Sequence, residues 1–342
     1  MLSNIEPPRR KKRKAGGPAN DILSKLAGKV IGQPHALTAI VPYVNMYNAG
    51  LSPEGRPAGV FLLLGPTGTG KTKTVEALAE VLHGSRKHML RIDCGEYQLE
   101  HETAKLIGAP PGYLGHRETH PVLTQAKLSS ITSDRSSLSI VLFDEIEKAA
   151  PSMTRLLLGV LDKASLRLGD NNMVNFERTL IFLTSNLGAH GMIKEFRPGL
   201  GFQADPNKTP EASRLENIAG TAMRKNFAPE FLNRIDAAIT YRPLSPETLE
   251  AILNHQIEEL QLHIENRLGS RGFKLIVSPK CRQYLLSEGA STEYGAREIK
   301  RAVHKRLTQP LADLVVSGRV QPGASVRADY DEKSNSLRLR AA

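Results

Sequence analysis

The sequence predicts an α/β fold: a parallel sheet with flanking helices, followed by a smaller, mainly helical C-terminal domain with a short strand set. Three observations carry this. Four predominantly apolar runs, GVFLLL (59–64), HMLRIDC (88–94), SLSIVLFDE (137–145) and RTLIFLTSN (178–186), alternate with stretches of helical length. Runs that stay apolar through consecutive positions mark strands buried on both faces, as in parallel sheets. Near Pro243-Leu244-Ser245-Pro246 the alternation stops and long amphipathic segments take over. Aromatic residues are only 5% and Trp is absent, which suits a core of Ala, Leu and Ile.

The elements follow in order. Residues 1–20 hold Arg9, Arg10, Lys11, Lys12, Arg13 and Lys14 against Glu6 alone, between PP and AGGP, and predict a disordered basic tail. A helix is expected over 34–50, bent at Pro42, and then a loop at EGRPAG. Helices are expected from about Lys71 to His83 and over 151–164. In the second part, 245–268 predicts a long helix with Ser245 or Thr248 near its start. A short strand at 273–277, helices at 281–289 and 296–318, and a terminal strand pair at 325–331 and 336–340 complete it. The expected domains are 21–243 and 244–342, after the tail.

Composition narrows the function. No apolar run approaches the roughly 18 residues of a membrane span. The N-terminal charges are not followed by an apolar stretch, so no secretory signal is expected. Cys94 and Cys281 are the two cysteines and lie far apart, which predicts neither a zinc site nor a disulfide framework and suits a reducing, cytoplasmic setting. The tail supplies +5 of the net charge of +11. Such a tail attracts nucleic acid, an acidic partner or an import receptor, or is simply solvated.

GPTGTGKT fits G-x-x-x-x-G-K-[ST] between a strand and a helix. Gly65, Pro66, Thr67, Gly68, Thr69 and Gly70 would wrap nucleotide phosphates, helped by free N–H groups and the helix dipole. Lys71 would reach the β- and γ-phosphates, and Thr72 would hold Mg²⁺. Asp144 and Glu145 end an apolar strand: Asp144 would bind Mg²⁺ through water, and Glu145 would orient or deprotonate the attacking water. TSN closes the next strand and brings Asn186 to the γ-phosphate. Hydrolysis also calls for positive charge, which Arg234 and Arg297 offer, although a lone arginine is by default one half of a surface ion pair.

The set, in order, is VIGQ (30–33), the P-loop, GAPPGYLG (108–115), LFDEIEKA (142–149), TSNLGA (184–189), FAPEFLNRID (227–236) and GAR (295–297). It resembles the AAA+ ATPases of the Clp chaperone family, and in particular the C-terminal ATPase module of the two-ring members. The resemblance covers roughly residues 20–342 and implies ATP and Mg²⁺ as ligands. It implies that Val30, Ile31, Gly32 and Gln33 line the adenine pocket and that Asn186 is sensor 1. Arg234 is then the arginine finger acting on a neighbouring subunit's ATP, and Arg297 is sensor 2. It implies a homo-hexamer whose Tyr113, with Leu114, grips unfolded or tagged polypeptide in a central pore. An aromatic suits that task because it packs against almost any side chain.

The chain also departs from the family. HRETH follows the pore loop in place of an acidic, Gly-Gly-containing run, and its His116 and His120 lack the H-E-x-x-H order of a zinc site. The second channel loop, 162–176, has Lys163 where an acid is common. No first ATPase ring or middle domain is expected within these residues. Leu200, Gly201 and Phe202 resemble the loop tip with which peptidase-linked members engage a Clp-type peptidase. The competing readings are a nucleic-acid motor, which the mixed sequence beside Tyr113 disfavours, and an ATP-dependent scaffold that does not translocate.

Overall fold

The computed structural model describes residues 18–108, 121–196, 212–289, 295–332 and 335–341. The strands are β1 (Gly59–Leu64), β2 (Leu90–Asp93), β3 (Ser139–Asp144), β4 (Ser165–Arg167), β5 (Met173–Asn175), β6 (Thr179–Ser185), β7 (Ala237–Thr240), β8 (Lys274–Val277), β9 (Ser325–Asp331) and β10 (Ser336–Ala341). The helices of the first part are α1 (Pro18–Ala27), α2 (Pro34–Asn48), α3 (Lys71–His83), α4 (Ala104–Ile107), α5 (Gln125–Ser130), α6 (Pro151–Lys163), α7 (Ala189–Phe196), α8 (Ala212–Asn226) and α9 (Pro229–Leu232). Those of the second are α10 (Pro246–Leu268), α11 (Pro279–Gly289), α12 (Ala296–Ala302) and α13 (Gln309–Val316).

The main sheet has the order β2-β3-β6-β1-β7, and all its pairings are parallel. Every residue of β1, β3 and β6 is buried. The two-residue period of a strand explains how one apolar run serves two cores. Val60, Leu62, Leu64, Val141, Phe143, Ile181 and Leu183 face one side, against Met153, Leu157 and Leu161 of α6. Phe61, Leu63, Ile140, Leu142, Leu180 and Phe182 face the other, against Leu37 and Ile40 of α2 and Val75, Leu78 and Leu82 of α3. Phe61 and Phe182 stack there with centroids 5.1 Å apart.

A third apolar cluster lies wholly in the second part. It joins Leu253 and Ile257 of α10, Cys281 and Leu285 of α11, Ile299 of α12, Leu307, and Val326 and Ala328 of β9. β8 pairs parallel with β9, and β9 antiparallel with β10. The predicted helix over 296–318 is interrupted by a π-helical turn, Val303–Thr308. Pro310 explains it: its ring would collide with the carbonyl of residue 306 in a regular α-helix, and the wider turn makes room.

The structure adds elements to the sequence reading. α1 begins at Pro18, inside the segment assigned to the tail, because Leu26 anchors it by burial in the α2/α3 core. Residues 162–176 contain the β4–β5 hairpin. β7 forms a fifth strand, and α8 packs on α7. No described helix is long and apolar enough to cross a membrane.

Candidate active site

Three strands deliver the site. Leu64 of β1 pairs with Ser185 of β6, and Phe143 of β3 pairs with Leu183. The loops after β1, β3 and β6 therefore leave the same edge of the sheet, its carboxyl edge, where parallel sheets bind ligands. They carry Gly65, Glu145 and Asn186.

The loop after β1 needs its glycines. Gly65 has φ +141, and a Cβ there would lie 2.4 Å from the Tyr241 carbonyl oxygen. Gly70 has φ +105 where α3 begins, with open space around it. Lys71 is buried beneath, and its Nζ donates to the carbonyls of Gly65 (2.6 Å) and Pro66 (2.9 Å) and to Asn186 Oδ1 (3.0 Å). Burial lowers the pKa of Lys71 to about 8, against the opposing pull of the carboxylates of Glu147, Asp144 and Glu145.

The carboxylates are fixed by β6. Thr184 Oγ1 donates to Asp144 Oδ1 and accepts the backbone N–H of Glu145 at 3.0 Å. Arg91 of β2 donates to Asp144 Oδ2 at 2.5 Å. Glu145 has left-handed φ +57, an uncommon conformation for a glutamate. Its carboxylate pairs with Lys148 and accepts from Asn186 Nδ2 at 3.3 Å. The Asn186 backbone N–H donates to Glu147 Oε1 at 2.9 Å, whereas Glu147 Oε2 is buried with no hydrogen-bond partner among the described residues. Asn186 thus touches Lys71, Glu145 and Glu147 at once.

The second part closes the site. The Ala296 N–H donates to the Gly68 carbonyl at 3.1 Å, and α12 then presents Arg297 to the cavity. This cavity, about 340 Å³, is lined by Val30 and Ile31, by the loop from Thr67 through Thr72, by Asp144, Glu145 and Asn186, and by Arg297. Leu244, Ile252 and Gln256 contribute from the second part.

Residues 56–238 match the family model described as the AAA domain (Cdc48 subfamily), and residues 244–328 match the C-terminal, D2-small domain of ClpB protein. The chain belongs to the Clp family of AAA+ ATPases. It is 36% identical over 309 residues to the chaperone protein ClpB of Prochlorococcus marinus, an alignment covering 90% of this chain and 33% of that protein. It is 36% identical over 308 residues to the ATP-dependent Clp protease ATP-binding subunit ClpC of Staphylococcus aureus, covering 89% of this chain and 36% of that one. The chain spans about a third of the length of these curated relatives.

Some positions of the Clp motifs do not line the cavity. Gly32 and Gln33 do not. Gln33 is buried and donates through Nε2 to the carbonyls of Thr69 (3.2 Å) and Arg242 (2.8 Å), so it acts as a strut under the P-loop. Arg234 also stays outside the cavity and pairs with Asp162 at 3.2 Å. Tyr113, Leu114, Leu200, Gly201 and Phe202 lie outside the described residues, as do His116 and His120.

The sequence reading missed Arg91, Thr184 and Glu147. It also missed a charge cluster at the mouth. Arg86 joins Glu80 (2.9 Å) to Glu259 of α10 (2.8 Å), and Lys73 approaches Glu259 at 3.5 Å. Burial alone would raise the pKa of Glu259, but the Arg86 hydrogen bond and the charges of Lys73, Arg86 and His255 bring it down to about 2.

The arrangement fits a Mg²⁺–nucleotide. The glycine backbone leaves room for phosphates, and Lys71 is a buried cation held by neutral oxygens. Thr72 and Asp144 offer the hard oxygen donors that Mg²⁺ takes alongside water.

Proposed function

We propose that this Clp-family module binds ATP with Mg²⁺ and hydrolyses it, and that a ring of six copies uses the energy to thread polypeptide through a central pore. One observation carries the reading: Lys71, Asp144, Glu145 and Asn186 meet Arg297 of the second part around one cavity. Residues 21–243 act as the ATPase domain and 244–342 as its lid, with residues 1–20 as a basic appendage.

In this reading Lys71 and the P-loop hold the β- and γ-phosphates, and Val30 and Ile31 contact the base. Thr72 and Asp144 hold Mg²⁺, which would neutralise phosphate charge. Glu145 takes the proton of the attacking water, while Asn186 orients Glu145 and senses the γ-phosphate. Arg297 reports nucleotide occupancy to the lid. Arg234, which does not line its own cavity and pairs with Asp162, serves the cavity of the next copy, and this supports a closed ring with heterologous contacts.

Tyr113 and Leu114 grip unfolded or tagged protein. The name of ClpC, a subunit of a Clp protease, supports a peptidase ring as a partner for Leu200, Gly201 and Phe202. The absence of a membrane-crossing helix among the described residues is compatible with a cytoplasmic setting. The test is Glu145→Gln. It is expected to bind ATP with wild-type affinity and hydrolyse it at least about 10²-fold more slowly, trapping substrate in an assembled ring. Wild-type turnover would remove Glu145 from this role.

A further inference from the structure

The ion pair of Arg234 has an unusual address. Asp162 lies in the last turn of α6, and its Oδ1 is 3.2 Å from Arg234 Nε, both side chains being a little over a third exposed. The closest approach is through the nitrogen at the stem of the guanidinium, so the carboxylate steadies the group from behind. Immediately beyond Asp162 the helix stops at Ala164, φ +47, and the β4–β5 hairpin begins. The Phe176 N–H donates to the Ala164 carbonyl at 2.7 Å, closing the base of the hairpin on the helix end. At the hairpin turn the Gly169 N–H donates to the Ile107 carbonyl at 2.8 Å. Ile107 ends α4, and the segment that carries Tyr113 starts at the next residue. A short run of backbone hydrogen bonds therefore joins the root of that segment to the carboxylate that holds Arg234.

We propose that Asp162 is the positioning residue of Arg234: it fixes the guanidinium for a neighbouring copy's nucleotide and ties its position to the β4–β5 hairpin and the root of the Tyr113 segment. This rests on the reading of Arg234 as a residue acting in trans. A free arginine side chain samples many rotamers, and holding it before the reaction removes that entropy from the barrier. The pair has little to do with folding, since ion pairs this exposed add little to stability. The two roles can therefore be separated.

The experiment compares steady-state ATPase kinetics, binding of a fluorescent ADP analogue and melting temperature for the full chain and for Asp162→Asn, Asp162→Glu, Arg234→Ala and the double variant Asp162→Asn/Arg234→Ala. Arg234→Ala is expected to lower kcat by about 10²-fold. Asp162→Asn should lower kcat by about tenfold, with KM, ADP-analogue affinity and melting temperature unchanged. Asp162→Glu should recover most of the loss. In the Arg234→Ala background, Asp162→Asn should cost nothing further, because its only route to the chemistry is gone. A wild-type kcat in Asp162→Asn overturns the proposal. So does a full tenfold loss that persists without Arg234, or a fall in melting temperature that accounts for the lost activity. If Arg234→Ala itself turns over like wild type, the trans reading fails first and takes the proposal with it.

Discussion

Lys71 is a cation stored among carbonyls. With a pKa of about 8 before any phosphate arrives, it must hold its proton to bind an anion. Below pH 8 it is already charged and nucleotide affinity should be flat. Above pH 8, binding must take up a proton, and Kd should rise by about tenfold per pH unit, as a titration with a fluorescent nucleotide between pH 7 and 9.5 can read. Lys71→Arg, which stays charged, should flatten the curve; a flat wild-type curve would contradict the burial argument. Gly65 gives a second prediction. Alanine there must adopt φ +141 and place its Cβ 2.4 Å from the Tyr241 carbonyl oxygen. Gly65→Ala should displace the P-loop, weakening nucleotide binding and lowering the melting temperature by calorimetry. Lys71, Asp144, Glu145 and Asn186 were legible in the sequence because each ends or follows an apolar run in a recognisable pattern. Arg91 and Glu147 were not. Arg91 reaches Asp144 across the β2–β3 pairing, and the role of Glu147 depends on the backbone N–H of Asn186, just beyond β6; neither partner is near in sequence.

Among the elements, the fully buried strands were the most legible, since burial on both faces leaves a continuous apolar signature. Phe182, packed on Phe61 in the middle of the sheet, is a fitting probe: Phe182→Ala should cost about 3–5 kcal/mol in denaturant unfolding. β7 was not legible. It is four residues, AAIT, only partly buried, and it is a strand because β1 offers it an edge. The β4–β5 hairpin did leave a trace in its turn, Gly169-Asp170-Asn171-Asn172, where Asn171 adopts φ +67 as asparagine tolerates. At the contact between α3 and α10, Glu259 is held at about 2 by Arg86 and Lys73, below the roughly 4.3 of a free glutamate. A depressed carboxyl pKa stabilises the folded state above about pH 4 and loses that contribution as pH falls toward 2. Arg86→Ala should therefore reduce the acid sensitivity of the melting temperature in this window. An unchanged acid profile would mean that the clamp carries no stability.

At the scale of the molecule, the α/β fold and the helical C-terminal part were legible from the change in pattern at Pro243–Pro246, but how the two meet was not. Gly295 and Ala296 sit directly on the Gly68 carbonyl, so the second part helps to build the nucleotide cavity. A Cβ at Gly295 would lie 2.9 Å from that oxygen, a packing requirement that has no periodicity to betray it. In the proposed ring this contact would couple phosphate occupancy to movement of the C-terminal part, and that movement, repeated around the ring, would pull a chain past Tyr113. The most direct test of that claim is ATP-dependent unfolding of a fluorescent protein carrying an unstructured tail, comparing wild type with Tyr113→Ala. The account predicts loss of fluorescence with wild type, and ATP hydrolysis without unfolding with Tyr113→Ala. It would be contradicted if wild type hydrolysed ATP yet left the fluorescence intact across several tails, or if Tyr113→Ala unfolded the substrate as fast as wild type.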